Sequence, residues 1–149
     1  MASNYSFYSI PTYWFLALVP HAYAVAVAKK ANKGFWDNTN PRRTGYLEKN
    51  IPKDVFAKYE RAEAAHTNGM ENAPYFIGAV LAGNFAGLDA STMNIYTGVY
   101  IGLRALYNIL YVNTTTLKNS RARSLVWIAG LLTIFTLYIK AANKVLADS

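Results

Sequence analysis

Residues Tyr59–Phe76 read YERAEAAHTNGMENAPYF, a stretch that begins as a charged helix and runs directly into an apolar one. It carries Arg61, His66, Asn68, Glu71 and Asn72 to the edge of a segment apolar enough for lipid. Polar groups at that depth lose hydration and need partners, so a plain membrane anchor has no use for a carboxylate and two amides there. The cluster marks a site, and the rest of the chain reads as its support.

Upstream, Pro11–Ala28 contains no Asp, Glu, Lys or Arg and approaches the roughly 20 residues needed to cross a bilayer. Pro20 is expected to kink this helix, with His21 bonding a freed carbonyl or a neighbouring helix. Tyr13 and Trp14 suit an interfacial belt at one end, and Lys29, Lys30 and Lys33 close the other. A polar connection follows to Arg61, broken at Asn40-Pro41 and Ile51-Pro52. The second helix is expected from Lys53–Asp54, with Asp54 as an N-cap, through Leu81. Gly83–Thr92 reads as a short loop, Met93–Val112 as a third span, Asn113–Arg123 as a polar connection and Ser124–Ala142 as a fourth span. The expectation is an all-α integral membrane four-helix bundle, one domain over 1–149, with spans near 9–29, 54–82, 93–112 and 123–142.

Net charge is +7, yet the basic residues lie between long apolar runs rather than along one amphipathic face, which argues against a nucleic-acid partner. Of the fifteen Lys and Arg residues, twelve fall in the first and third connections. The positive-inside rule puts those connections in the cytosol and both termini on the other side. There is no cysteine, which excludes disulfides, thiolate metal sites and a protein thiol nucleophile. Two histidines far apart in sequence argue against zinc, so no metal is expected. The first ten residues lack a basic n-region, which argues against a cleavable signal peptide.

Helical geometry gathers the polar residues. At 100° per residue, Arg61, Asn68, Glu71, Asn72 and Tyr75 share a sector of about 100° on the second helix, while His66 points away. Tyr100, Arg104, Tyr107, Asn108 and Tyr111 share one face of the third. An arginine near a span's centre costs about 2.5–3.5 kcal/mol on insertion scales, so Arg104 needs a partner. Two readings stand: Arg104 pairs with Glu71 and the tyrosines pack between helices, or these groups line a polar cavity. Arg123, placed where the fourth span begins, also has two. It is a cytosolic anchor snorkelling to headgroups, as Lys118 and Arg121 are. Or it joins the helix-start amides and the Ser124 hydroxyl in holding an anion.

The Tyr59–Phe76 stretch resembles the helix-2 signature of the MAPEG family, the membrane-associated proteins of eicosanoid and glutathione metabolism, on Glu60, Arg61, Ala65, His66, Asn68 and Glu71. Two further blocks agree: Arg104 followed by Tyr107 and Tyr111, and Arg123-Ser124 opening the last helix. The resemblance implies a homotrimer with glutathione bound between subunits near the cytosolic face. It gives Arg61, Asn68, Glu71, Arg104, Tyr107 and Tyr111 roles around glutathione, and assigns the subunit contact to His66. Arg123 matches the family's catalytic arginine, which stabilises the glutathione thiolate, and Ser124 a serine beside it in the prostaglandin E synthase branch. It further implies a microsomal, endoplasmic-reticulum setting in a eukaryote.

There are departures. Ala64 stands where the family has a second arginine, removing a contact to a glutathione carboxylate. Arg42-Arg43 replace acidic residues of the prostaglandin E synthases, which argues against prostaglandin synthesis. The leading expectation is a transferase adding the glutathione thiolate to a lipophilic electrophile. A peroxidase or isomerase using the same thiolate is its near variant, and a non-enzymatic lipid-binding member, supported by Ala64, is the reading from another class.

Overall fold

The computed structural model describes residues 2–41 and 43–149. Arg42 lies outside them. A single 3-10 turn, Ser6–Tyr8, leads into five α-helices: α1 Ser9–Ala31, α2 Thr44–Asn50, α3 Lys53–Phe85, α4 Ala90–Asn113 and α5 Leu117–Asp148. The fold is all-α. Two stretches, Ser6–Ala31 and Leu117–Asp148, are both long and apolar enough to cross a membrane. α3 and α4 carry the polar cluster, which dilutes their apolarity.

α1 and α3 meet along small residues. Ala17, Ala24 and Ala28 of α1 and Ala62, Ala65 and Gly69 of α3 are all buried. A Cβ on Gly69 would stand 3.0 Å from Ala17 Cβ, so glycine sets how closely the two backbones approach. Pro20 has no N–H, which leaves the Leu16 carbonyl without its helical donor. Asn108 Nδ2 of α4 donates to that oxygen at 3.1 Å. The next carbonyl, Ala17, accepts from His66 Nδ1 at 2.8 Å. His66 Nδ1 is thus engaged within its own chain, by α1. His21 bonds the neighbouring helix, its Nδ1 lying 2.8 Å from Glu63 Oε1. α1 ends with Lys29 and Lys30 in its last turn, where cations complement the negative end of the helix dipole. Lys33 and Gly34 at φ 51° and 86° turn the chain away.

Beneath this seam lies an aromatic core. Phe76 and Tyr100 stack at 4.6 Å between ring centroids, with Tyr13 5.0 Å from Phe76 and 5.6 Å from Tyr100. Tyr13, expected in an interfacial belt, is only 1% exposed, and its hydroxyl donates to the Gly69 carbonyl at 2.6 Å. Its neighbour Trp14 remains on the surface. Tyr100, expected with the polar face of α4, packs with this core instead.

Several boundaries differ from expectation, each for a local reason. Gly83 does not end α3, because its role is packing: a Cβ there would stand 2.6 Å from Met93 Sδ. The helix runs on to Phe85, and the expected loop contracts to 86–89. Asp54 lies inside the first turn of α3, and Pro52 occupies the N-cap. α2 sits within the connection read as polar and broken by prolines, held by Leu47, which with Ile51 packs beside Tyr59. α5 starts at Leu117, where Thr116 Oγ1 accepts from the Asn119 amide at 3.3 Å. Residues 117–122 are polar yet helical.

Candidate functional site

α3, α4 and α5 diverge around an open cleft of about 310 Å³, lined by Asn68, Tyr107, Tyr111, Arg123, Ser124, Trp127 and Ile128. The helical spacing accounts for the gathering. Tyr107 and Tyr111 are one turn apart on α4, and Trp127 and Ile128 are one turn beyond Arg123 and Ser124 on α5.

The polar side chains form one connected series. Arg104 is 4% exposed, and its Nη2 donates to Asn68 Oδ1 at 2.9 Å. Its guanidinium carbon lies 4.5 Å from the Tyr107 ring centre. Tyr107 and Tyr111 meet edge-on at 5.4 Å, and the Arg123 guanidinium lies 4.2 Å over Tyr111. Cation, ring, ring and cation thus alternate, each cation–π contact being worth about 0.5–2 kcal/mol according to its desolvation. Asn72 Nδ2 donates to the Asn68 carbonyl at 2.8 Å and reaches Asn68 Oδ1 at 3.4 Å. With Oδ1 facing Arg104 and Asn72, Asn68 keeps its NH₂ donors for the cleft.

Arg104 therefore finds its partners in Asn68 and Tyr107. Among the described residues there is no Glu71–Arg104 ion pair. Glu71 is exposed, one turn of α3 beyond Asn68. Arg61 does not line the cleft: its Nε donates to the Val112 carbonyl at 3.0 Å, placing a cation against the C-terminal end of α4.

Arg123 differs most from expectation in its helical context. Because α5 begins at Leu117, Arg123 lies in its second turn. The free amides and the positive end of the macrodipole belong to the first turn, so they do not assist Arg123 in holding an anion. Tyr111 is what fixes its guanidinium. Ser124 lines the cleft while its Oγ donates to the Ser120 carbonyl at 3.2 Å.

Trp127 and Ile128 escaped sequence reasoning, although the i+4 step from Arg123-Ser124 points to both. Asn72 was noticed, but its hold on Asn68 was not, since an amide bond to a preceding turn leaves no mark in periodicity. Chemically the cleft offers guanidinium, phenol, amide N–H and serine hydroxyl groups, bounded by an indole and an isoleucine, with no carboxylate in its lining. Such a surface receives an anionic, acceptor-rich molecule and leaves an apolar flank beside it.

Compared with families of known proteins, the chain matches the model of the MAPEG family over residues 10–143. No curated protein and no solved structure matches it.

Proposed function

This chain belongs to the MAPEG family, and from that premise we propose that it is a glutathione-dependent membrane transferase acting on a lipophilic electrophile. The observation that carries the reading is the cleft itself: Asn68, Tyr107, Tyr111 and Arg123 bring donors into one lining with Trp127 and Ile128, and Tyr111 holds Arg123 in place. Glutathione fits that donor set, having two carboxylates that accept from it and an amino group for the exposed Glu71, one turn of α3 beyond Asn68.

Glutathione, when bound, supplies the thiol that a chain without cysteine lacks. Arg123 is the group we assign to the sulfur. A cysteine-type thiol has a pKa near 8.5, and lowering it by about two units takes roughly 2.7 kcal/mol of differential stabilisation. A guanidinium in a partly desolvated cleft supplies stabilisation of that order without help from a helix start. Asn68, oriented by Arg104 and Asn72, presents N–H donors to the peptide. Tyr107 and Tyr111 hold the two arginines apart and add hydroxyls. Arg61 steadies the end of α4 and so the placement of Tyr111. The missing cation at Ala64 leaves one carboxylate with fewer contacts, a loss felt in affinity rather than in turnover.

In this reading all four long helices cross the bilayer, the basic connections face the cytosol, and the endoplasmic reticulum is the setting in a eukaryotic cell. The cleft lies open along one side of a single chain, and a homotrimer closes it with a neighbouring copy. The electrophile arrives from lipid along Trp127 and Ile128. Peroxidase or isomerase chemistry would use the same sulfur and the same residues.

Thiolate absorbance tests the assignment. Purified protein at saturating glutathione is expected to show it at neutral pH, and Arg123→Ala to lose it while still binding glutathione by calorimetry. No heat with glutathione, together with binding of lipid alone, favours the non-enzymatic member that Ala64 supports. Heat without thiolate in the wild type overturns the role given to Arg123.

A further inference from the structure

The packing of α1 on α3 brings together the two histidines that lie far apart in sequence. His21 of α1 and His66 of α3 have ring centroids 5.1 Å apart. Each already has its Nδ1 engaged, His21 with Glu63 Oε1 and His66 with the Ala17 carbonyl, both at 2.8 Å. A carbonyl and an ionised carboxylate only accept, so in each neutral ring the proton sits on Nδ1 and the lone pair on Nε2. Metal-binding histidines are prepared in this way: the nitrogen remote from the ion donates to a carboxylate or a backbone carbonyl, which fixes tautomer and ring orientation.

Spacing and charge agree. With metal–nitrogen bonds of about 2.0–2.1 Å at a tetrahedral ion, two imidazole centroids stand about 5 Å apart. Glu63 brings a negative charge to the pair, and among the described residues its only ion-pair partner is His21. Lys58, just over one turn before it, lies over the Tyr23 ring at 5.3 Å.

We propose that His21 and His66 are the two protein ligands of a divalent transition-metal site, with Glu63 supporting His21 from behind. Two imidazole nitrogens suit Zn²⁺ or Cu²⁺ and do not suit Mg²⁺ or Ca²⁺. Among the described residues no three His, Asp or Glu side chains are grouped to enclose an ion. The remaining positions therefore go to water, and His21, with 43% of its side chain exposed, gives the way in. His66 lies about 160° around α3 from Asn68, so the site is separate from the cleft. An ion there joins α1 to α3 beside Pro20.

Copper titration of tag-free protein in detergent, read by electron paramagnetic resonance, tests this. One Cu²⁺ per chain is expected, with coupling to two imidazole nitrogens, and Zn²⁺ is expected to displace it. His21→Gln, at a half-exposed position, should lose one nitrogen coupling and bind more weakly. Glu63→Gln should keep both couplings while affinity falls by about 10- to 100-fold. Absence of copper binding in the wild type, a spectrum without imidazole nitrogen, or equal affinity in His21→Gln overturns the proposal. Glutathione binding and thiolate formation are unaffected in any of these outcomes, so failure here leaves the transferase reading standing.

Discussion

The seam between α1 and α3 and the cleft between α4 and α5 use polar side chains in opposite ways. At the seam, Asn108, His66 and Tyr13 each give a donor to a backbone carbonyl, at Leu16, Ala17 and Gly69. Backbones approach closely over alanine and glycine, and these donors are spent on structure. At the cleft Tyr107, Tyr111 and Trp127 line an open surface, and the donors of Asn68 and Arg123 remain available.

Arg123→Ala removes the terminal cation of the cleft and should lower turnover by about 10²–10³-fold, as loss of a charge-stabilising donor does elsewhere. Arg123→Lys should recover only part, since a compact ammonium does not stack on Tyr111 as a guanidinium does. Steady-state conjugation with a lipophilic electrophile measures both, and near-normal turnover in the alanine variant would remove Arg123 from the chemistry. Next in size is Asn68→Leu, which strips a buried guanidinium of its acceptor and should cost about 1.5–3 kcal/mol of stability. Unfolding in mixed micelles reads that loss, and an unchanged midpoint would mean that Tyr107 alone suffices for Arg104. Gly69→Val tests the seam. Its added atoms meet Ala17 and should cost about 1–3 kcal/mol, with thiolate absorbance retained by whatever protein stays folded. Loss of absorbance without loss of stability would show that the two regions are coupled.

The smallest effect lies at the start of α4, outside both regions. Asp89 caps the helix, and its carboxyl is held below the usual carboxylate range, first by the Thr92 hydroxyl and then by the Thr92 amide. A depressed folded value means that the contribution is present above the ordinary carboxylate pKa of 3.8 and is lost as pH falls through the lower, folded value. The thermal midpoint of wild type should therefore drop in that acid range slightly more than that of Asp89→Asn. Parallel curves would show that the cap is not sensed by the bundle.

The all-α class was legible because long apolar runs between basic connections leave few alternatives. The site was legible by face: Asn68, Tyr107, Tyr111, Arg123 and Ser124 were all named from periodicity and resemblance, and all line one cleft. Partners were not. Periodicity gives direction around an axis but not depth along it, so Arg104 was matched with a carboxylate when an amide stood nearer. Tyr100 and Tyr107 share a face of α4, yet the first meets Phe76 and the second Arg104. Nothing on the helix itself distinguishes them. The start of α5 was misjudged because Lys118–Arg123 is polar, and polarity reads as loop when a helix extends past its apolar part.

Pro20 has one more consequence. A straight helix can slide along a neighbour, one residue at a time, by exchanging equivalent contacts. α1 lacks that freedom, because two successive carbonyls are held by different helices: Asn108 takes Leu16, which Pro20 leaves without a donor, and His66 takes Ala17. Displacing α1 along its axis must break both bonds together. The proline acts as a detent, setting the height of α1 against the two helices that carry Asn68, Tyr107 and Tyr111.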